Sequence, residues 1–208
     1  MINVHGTSIV ETSCIGDNVS VGPFCYIGKN VILGEGVKLI GHCSIGSPPQ
    51  MKNEEGSAVG KIKIGIHTEI REFVTINMPV KQITSIGKRC YIMAQAHIGH
   101  DCQIRNDVIL GVGSVLGGWS VIEDFVYVGL NATLHQYSNV GAHCMIGANA
   151  FFKGVSPAGI TWAGVPAKPI RLNTIGMIRN IQDLQKIETI GSEAMSFVEK
   201  KWKGFNRL

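Results

Sequence analysis

An aliphatic residue recurs at every sixth position through most of this 208-residue chain. The first run is Ile9, Ile15, Val21, Ile27, Leu33, Leu39 and Ile45. Ile64, Ile70 and Ile76 follow a break, and a longer run leads from Ile86 through Ile98, Leu110, Ile122, Leu134 and Ile146 to Phe152. Four residues after each member sits a small or β-branched residue, among them Val19, Cys25, Cys43, Val74, Cys102, Ser120, Ala132 and Cys144. A period of six is neither the helical 3.6 nor the two of a half-buried strand. It describes a short strand and a turn, repeated, with the aliphatic member filling an interior and the small one fitting a corner. Three such sides make a coil of eighteen residues, and stacked coils pair as parallel strands about 4.8 Å apart. The sequence therefore predicts an all-β chain folded as a parallel β-helix of hexapeptide repeats. Gly often follows the aliphatic member, as in Ile15-Gly16, Ile27-Gly28 and Ile86-Gly87, which reads as the residue that takes up tight-turn angles. Five of the six Cys fall on the small inward position and read as core filler.

Two interruptions read as loops projecting from the coil. One contains Ser47-Pro48-Pro49-Gln50-Met51-Lys52-Asn53-Glu54-Glu55-Gly56 and the other Met78-Pro79-Val80-Lys81-Gln82. After Phe152 the pattern fades. Residues 1–160 are expected to form the β-helix, and 161–208 a linker (Trp162 to Pro169) and a helical cap. Asn173-Thr174 can start a helix. Ile175, Ile178, Ile181, Leu184 and Ile187 form a helical stripe, and a second short helix is expected near Ala194–Trp202.

Hydrophobic residues at 45% and charged residues at 16% exclude a disordered chain, and 26 Gly without a three-residue period exclude collagen. No apolar stretch reaches the ~18 residues of a membrane span. Met1 to His5 carry no export signal and no Cys-x-x-Cys pair occurs, so the expected compartment is the cytoplasm. Acidic and basic side chains balance over residues 1–165, so the net charge of +4 lies in 166–208. A modestly basic tail suits an acidic partner or substrate, with Lys168, Arg171 and Arg179 as its candidates, and is far from a nucleic-acid-binding arm.

Chemistry requires side chains that point away from the aliphatic stack. His97-Ile98-Gly99-His100-Asp101 stands out. One coil of eighteen places Gly118 on the line of His100, and a second coil adds Gln136. A general base, a backbone N–H without a side chain in its way and a polar amide then face one groove. That combination suits acyl transfer, in which a base takes the nucleophile's proton and a donor stabilises the oxyanion.

These stretches resemble the hexapeptide-repeat acyltransferases, and most closely the UDP-N-acetylglucosamine acyltransferases of lipid A synthesis. The resemblance spans most of residues 5–180. It is carried by Val21-Gly22-Pro23-Phe24, Ile70 to Asn77, Ala96-His97-Ile98-Gly99-His100-Asp101-Cys102, Leu134-His135-Gln136-Tyr137 and Val140-Gly141-Ala142-His143. It implies a left-handed coil and a homotrimer with active sites between subunits. It implies His100 as general base, Asp101 as its orienting carboxylate and Gly118 as the oxyanion-hole residue. His97, His135 and Gln136 match the substrate groove, and Asn77, Gln50 and Lys52 stand at further substrate positions. Asn173 and Arg179 match the nucleotide-contacting region.

The departures are specific. Trp119 and Asn77 stand where the lipid A enzymes have His, Gln50-Met51-Lys52 keeps their Asp–Lys pair only in part, and Ile175 replaces an acidic residue. Ala148 stands near their chain-length Gly, beside Phe151 and Phe152, and their C-terminal domain is longer. Ala163 to Pro169 looks like the ending of coenzyme A-dependent members. The resulting expectation is transfer from a thioester, acyl carrier protein or coenzyme A, to a nucleotide-linked sugar. N-acylation of an amino sugar is the first reading and O-acylation of UDP-N-acetylglucosamine the alternative. No tightly bound cofactor, metal or membrane span is expected. A zinc hydratase resembling γ-type carbonic anhydrases is a remote alternative.

Overall fold

The computed structural model describes residues 1–52, 60–81 and 83–201. Asn53 to Gly56 of the first loop, Gln82 of the second and Trp202 at the end of the expected last helix lie outside these residues. Three parallel sheets run along a coil. Sheet A has ten strands, sheet B eight and sheet C seven. The chain passes from A to B to C and back to A. On sheet A, Tyr91, Ile109, Tyr127 and Met145 pair in register, each eighteen residues beyond the last. The same step joins His97, Val115, Thr133 and Phe151 on sheet B. It joins Gln103, Val121 and Asn139 on sheet C.

The aliphatic members from Val21 to Phe152 are buried, as are the small corner residues from Val19 to Ser156. Each fully buried Val, Leu or Ile side chain contributes about 1.5–3 kcal/mol, so this column is the main source of stability. Ile9 differs. It is 62% exposed because it pairs with the outward Tyr26, and Val10, paired with Ile27, takes the inward position one residue off the expected repeat. Cys25, Cys43, Cys90, Cys102 and Cys144 all lie inside, and Cys14 is exposed.

The corners correct one expectation. The left-handed residue lies three positions after the aliphatic member, at Asn18 (φ 56°), Asp101 (φ 57°), Trp119 (φ 57°) and Tyr137 (φ 62°). Gly16, Gly28 and Gly87 are not among the positive-φ residues. They are small because the next coil crosses there. A Cβ on Gly16 would lie 2.6 Å from the Glu35 nitrogen, and one on Gly87 2.5 Å from the Arg105 carbonyl carbon.

The two loops leave the same side of the coil and are tied together. Asn77 Nδ2 donates to the Pro48 carbonyl at 3.1 Å, and the Met78 N–H donates to Ser47 O at 2.9 Å. At the far end, Ile160–Ala163 continues sheet A, and Lys168–Leu172 folds back antiparallel beside it. The expected linker is therefore largely a hairpin added to sheet A, and the strand begins where the expected boundary at 160 falls.

Helix α1 covers Thr174–Asn180 and α2 covers Leu184–Lys201. The Ile stripe thus does not form one helix, and the last helix is longer than expected. Asn173 caps α1, whereas Ile181 is extended (φ −121°). Asp183 Oδ1 then accepts from the N–H groups of Gln185 (2.9 Å) and Lys186 (3.3 Å), starting α2 afresh. Of the stripe, Ile175, Ile178 and Leu184 are exposed and Ile181 is buried, together with Met177, Ala194 and Val198. No helix of the described residues is long and apolar enough to cross a membrane.

Candidate active site

The corner between sheets B and C gathers most of the expected site. His100 leaves the turn after His97–Ile98 and folds back over the next coil. Its ring packs on the Cα of Gly118, where an added Cβ would lie 2.5 Å from Nε2 and 2.6 Å from Cε1. The missing side chain at Gly118 is what admits the imidazole. Asp101 Oδ2 lies 3.0 Å from His100 Nδ1. A neutral imidazole that donates Nδ1–H to this carboxylate leaves Nε2 free to accept a proton. The two side chains are only 12% and 7% exposed, so their charges interact with little water between them.

The carboxylate is itself held from the second loop. The Val80 N–H donates to Asp101 Oδ2 at 2.8 Å and the Lys81 N–H to Oδ1 at 3.1 Å. The Asp101 N–H donates to Thr84 Oγ1 (2.9 Å), whose hydroxyl donates to Asn77 O (3.2 Å). The loop therefore fixes the carboxylate that fixes the base. Among the described residues the Gly118 N–H donates to no protein acceptor, whereas the neighbouring Gly117 and Trp119 N–H groups serve Leu134 O and His100 O. That donor belongs to the residue on which the His100 ring packs.

His97 stands on the outer face of sheet B, with Nδ1 2.8 Å from Thr75 Oγ1. Burial, and then the neighbouring His100, push its pKa below the ordinary histidine value. His135 and Gln136 sit one coil above Gly117 and Gly118. His135 Nδ1 lies 3.1 Å from Gln136 O and its ring meets Phe151 edge-on at 6.2 Å. Phe151 faces outward, while Phe152 is buried in the coil.

The other expected residues are placed differently. Asn77 is buried, with its amide engaged by Pro48 O, so it braces the loops behind the site. Gln50 and Lys52 are exposed on the first loop. Asn173 and Arg179 lie on another face of the prism. They line a 580 Å³ groove over sheet A with Arg171, Arg89, Tyr91 and Phe125. Asn173 also donates to His143 O at 2.8 Å while capping α1.

Sequence reasoning missed two contributors. Trp119 meets the His100 ring at right angles with centroids 4.3 Å apart, and Tyr137 stacks on Trp119 at 4.8 Å and 4°. The eighteen-residue step that linked His100 to Gly118 also links Asp101 to Trp119 and Tyr137. Applied one residue further on, it finds both. Among the described residues no group of three or more His, Cys, Asp or Glu is placed to hold a metal ion.

A histidine backed by a carboxylate, beside an open backbone donor on a hexapeptide coil, is the equipment of an acyltransferase. Comparison with known proteins narrows this class. The family described as bacterial transferase hexapeptide (six repeats) matches residues 83–118. An acyl-[acyl-carrier-protein]–UDP-N-acetylglucosamine O-acyltransferase of Herminiimonas arsenicoxydans is 34% identical over 198 residues, covering 85% of this chain and 75% of the relative. The structure of the UDP-N-acetylglucosamine acyltransferase of Francisella novicida superposes with a TM-score of 0.81 at 26% identity, covering 95% of this chain and 85% of that one. A perosamine N-acetyltransferase of Caulobacter crescentus is similar over only 55% of this chain and 53% of its own, with a TM-score of 0.50 and 26% identity. This chain belongs to the UDP-N-acetylglucosamine acyltransferase family, and its coil is the left-handed parallel β-helix. It is a thioester-dependent acyltransferase for a nucleotide-linked sugar. The relatives favour the hydroxyl-acceptor alternative over the expected N-acylation.

Proposed function

We propose that the chain transfers an acyl group from acyl carrier protein to a hydroxyl of UDP-N-acetylglucosamine. The observation that carries the reading is the His100–Asp101 pair folded over Gly118. Nε2 of His100 takes the proton of the attacking hydroxyl as the oxygen bonds to the thioester carbonyl carbon. The Gly118 N–H stabilises the tetrahedral oxyanion, and such a donor is worth about 3–4 kcal/mol. Collapse expels the thiolate, which recovers the proton from His100. Asp101 holds the tautomer. His97, His135 and Gln136 line the acceptor's approach, with Gln50 and Lys52 on the loop above it and Asn77 bracing that loop.

The active unit in this reading is a homotrimer with sites between subunits. His100 and the pair Asn173 and Arg179 lie on different faces of one chain, so a nucleotide sugar touching both would bridge two chains. The A-to-B corner also leaves Phe24, Phe73 and Leu130 45–58% exposed, apolar side chains that association would bury. The basic residues Lys168, Arg171 and Arg179 suit an acidic carrier protein. Six unpaired cysteines suit the cytoplasm, where such a carrier would be met.

The test is a mass-spectrometric transfer assay with wild type and His100→Ala. It offers 3-hydroxyacyl carrier protein and acetyl-coenzyme A, each with UDP-N-acetylglucosamine and with UDP- or dTDP-linked amino sugars. Product from the acyl carrier protein and UDP-N-acetylglucosamine, reduced at least ~100-fold in the variant, supports the reading. Product only from an amino sugar restores N-acylation. Undiminished activity of His100→Ala removes His100 as the base.

A further inference from the structure

We propose that Trp119 is a positioning residue for His100, and that it also stabilises the imidazolium formed when His100 accepts a proton. The proposal rests on His100 acting as the base. Three sides of the imidazole are accounted for: Asp101 holds Nδ1, Gly118 offers its bare Cα, and Trp119 closes the third at 4.3 Å and 89°. Tyr137 lies flat on Trp119 at 4.8 Å, so the indole cannot swing aside without breaking that stack. The result is a histidine side chain only 12% exposed at the surface of a coil.

The backbone does not explain a tryptophan here. Position 119 has φ 57°, a left-handed conformation that Gly, Asn and Asp adopt more cheaply than a bulky residue. Nor does the core, because the 119 side chain stands outside the aliphatic column and is only partly buried. Its ring contacts are with His100 and Tyr137. An aromatic ring attracts a cation that lies over its face, within about 6 Å of the centroid, through the ring quadrupole. Loss of the indole therefore both frees the imidazole to rotate toward water and removes a stabilising partner of its charged form. The titratable groups at this corner are Asp101, His97 on sheet B, Lys81 on the second loop, His135 one coil above and Tyr137 behind the indole.

Two measurements on the full chain test this. The first needs no substrate, so it stands or falls independently of the acceptor. A protonated imidazole against an indole quenches its emission, so tryptophan fluorescence should step down when acidification protonates His100. His100→Gln should abolish that step, and Trp119→Phe should remove it from the spectrum while the emission of the other two tryptophans, Trp162 and Trp202, remains. A step that survives His100→Gln overturns the contact. The second is kinetic. Trp119→Ala should lower kcat at least about 10-fold with KM within about 2-fold, and move the acidic limb of the kcat/KM profile to lower pH. Trp119→Phe, which keeps an aromatic face, should recover most of kcat. A Trp119→Ala variant with wild-type kcat, or one that changes KM alone, overturns the positioning role. If Trp119→Ala fails to fold, Trp119→Phe and Trp119→Leu decide. A Trp119→Leu variant matching wild type in kcat and pH limb refutes a need for the aromatic face.

Discussion

Gly118→Ala separates the placement of the base from the supply of the oxyanion donor. The substitution keeps the backbone N–H, and position 118 is not among the positive-φ glycines, so alanine is not strained there. The three atoms nearest its Cβ all belong to the His100 ring, at 2.5, 2.6 and 3.1 Å. Ordinary contact starts at 3.4 Å, so the imidazole must retreat by about 1 Å. Displacements of that size cost about 100-fold in rate when the reacting geometry is tight. We therefore expect kcat to fall about 100-fold, about 2.7 kcal/mol of barrier, with KM nearly unchanged. Stability should change little, because a side chain rather than backbone gives way. Gly117→Ala is the control. Its Cβ would lie 2.6 Å from the Gln136 nitrogen, so the next coil must shift, and thermal stability should fall first. The assay is steady-state transfer alongside thermal unfolding for both variants. Gly118→Ala with wild-type kcat, or with a stability loss equal to that of Gly117→Ala, refutes the packing of His100 on Gly118.

Asp101→Asn should lower kcat by about 100-fold or more, because the amide no longer enforces the Nδ1–H tautomer. Peptide exchange at Val80 and Lys81 should quicken at the same time, measured by hydrogen–deuterium mass spectrometry, since both N–H groups lose a carboxylate acceptor. His97 and His143 both have pKa values lowered, chiefly by burial. The unfolded chain therefore binds more protons than the folded one once pH falls below the ordinary value of 6.5. Their contribution is complete above that value and is lost as pH falls toward the folded values. The melting temperature should decline from pH 7 to 5, and His143→Phe should make the decline shallower. Native alkylation followed by peptide mapping should label Cys14 first. Burial pushes the Cys102 thiol up to about 12 and those of Cys90 and Cys144 up to about 11, so these should react only on unfolding.

The coil was legible because each position along it sees the same surroundings eighteen residues later. A repeated environment writes a repeated residue type, as at Ile86, Ile104, Ile122 and Val140 on sheet C. The stacking of His100 under Gly118 followed from that step alone. What the step cannot report is anything local that is met only once. The Val80 and Lys81 N–H groups on Asp101 come from a loop of no period. The break of the last helix depends on Asp183 acting as a cap, which a stripe of isoleucines hides. The glycines after Ile15 and Ile86 were visible, but their cause was misread, because contact with the next coil and freedom of backbone angle both select the same residue. The match of Asn173 and Arg179 to a nucleotide-contacting region does not say which face of the coil carries them. Their attachment to sheet A through the hairpin 160–172 separates them from His100 on one chain.

The constant step of the coil also governs how this protein can change in length. An insertion or deletion of eighteen residues adds or removes one rung and leaves every remaining column aligned, so the span between His100 and the last coil moves in units of about 4.8 Å. Six or twelve residues keep the aliphatic members inward but move every later column to another sheet, and a number that is no multiple of six takes the aliphatic members out of the interior beyond that point. The two excursions near residues 48–60 and 78–82 obey no such rule, since each leaves and rejoins the coil at fixed strands, Ser44–Ser47 to Lys61–Ile64 and Thr75–Asn77 to Ile83–Ile86. Length in this protein is thus quantised along the axis and continuous beside it.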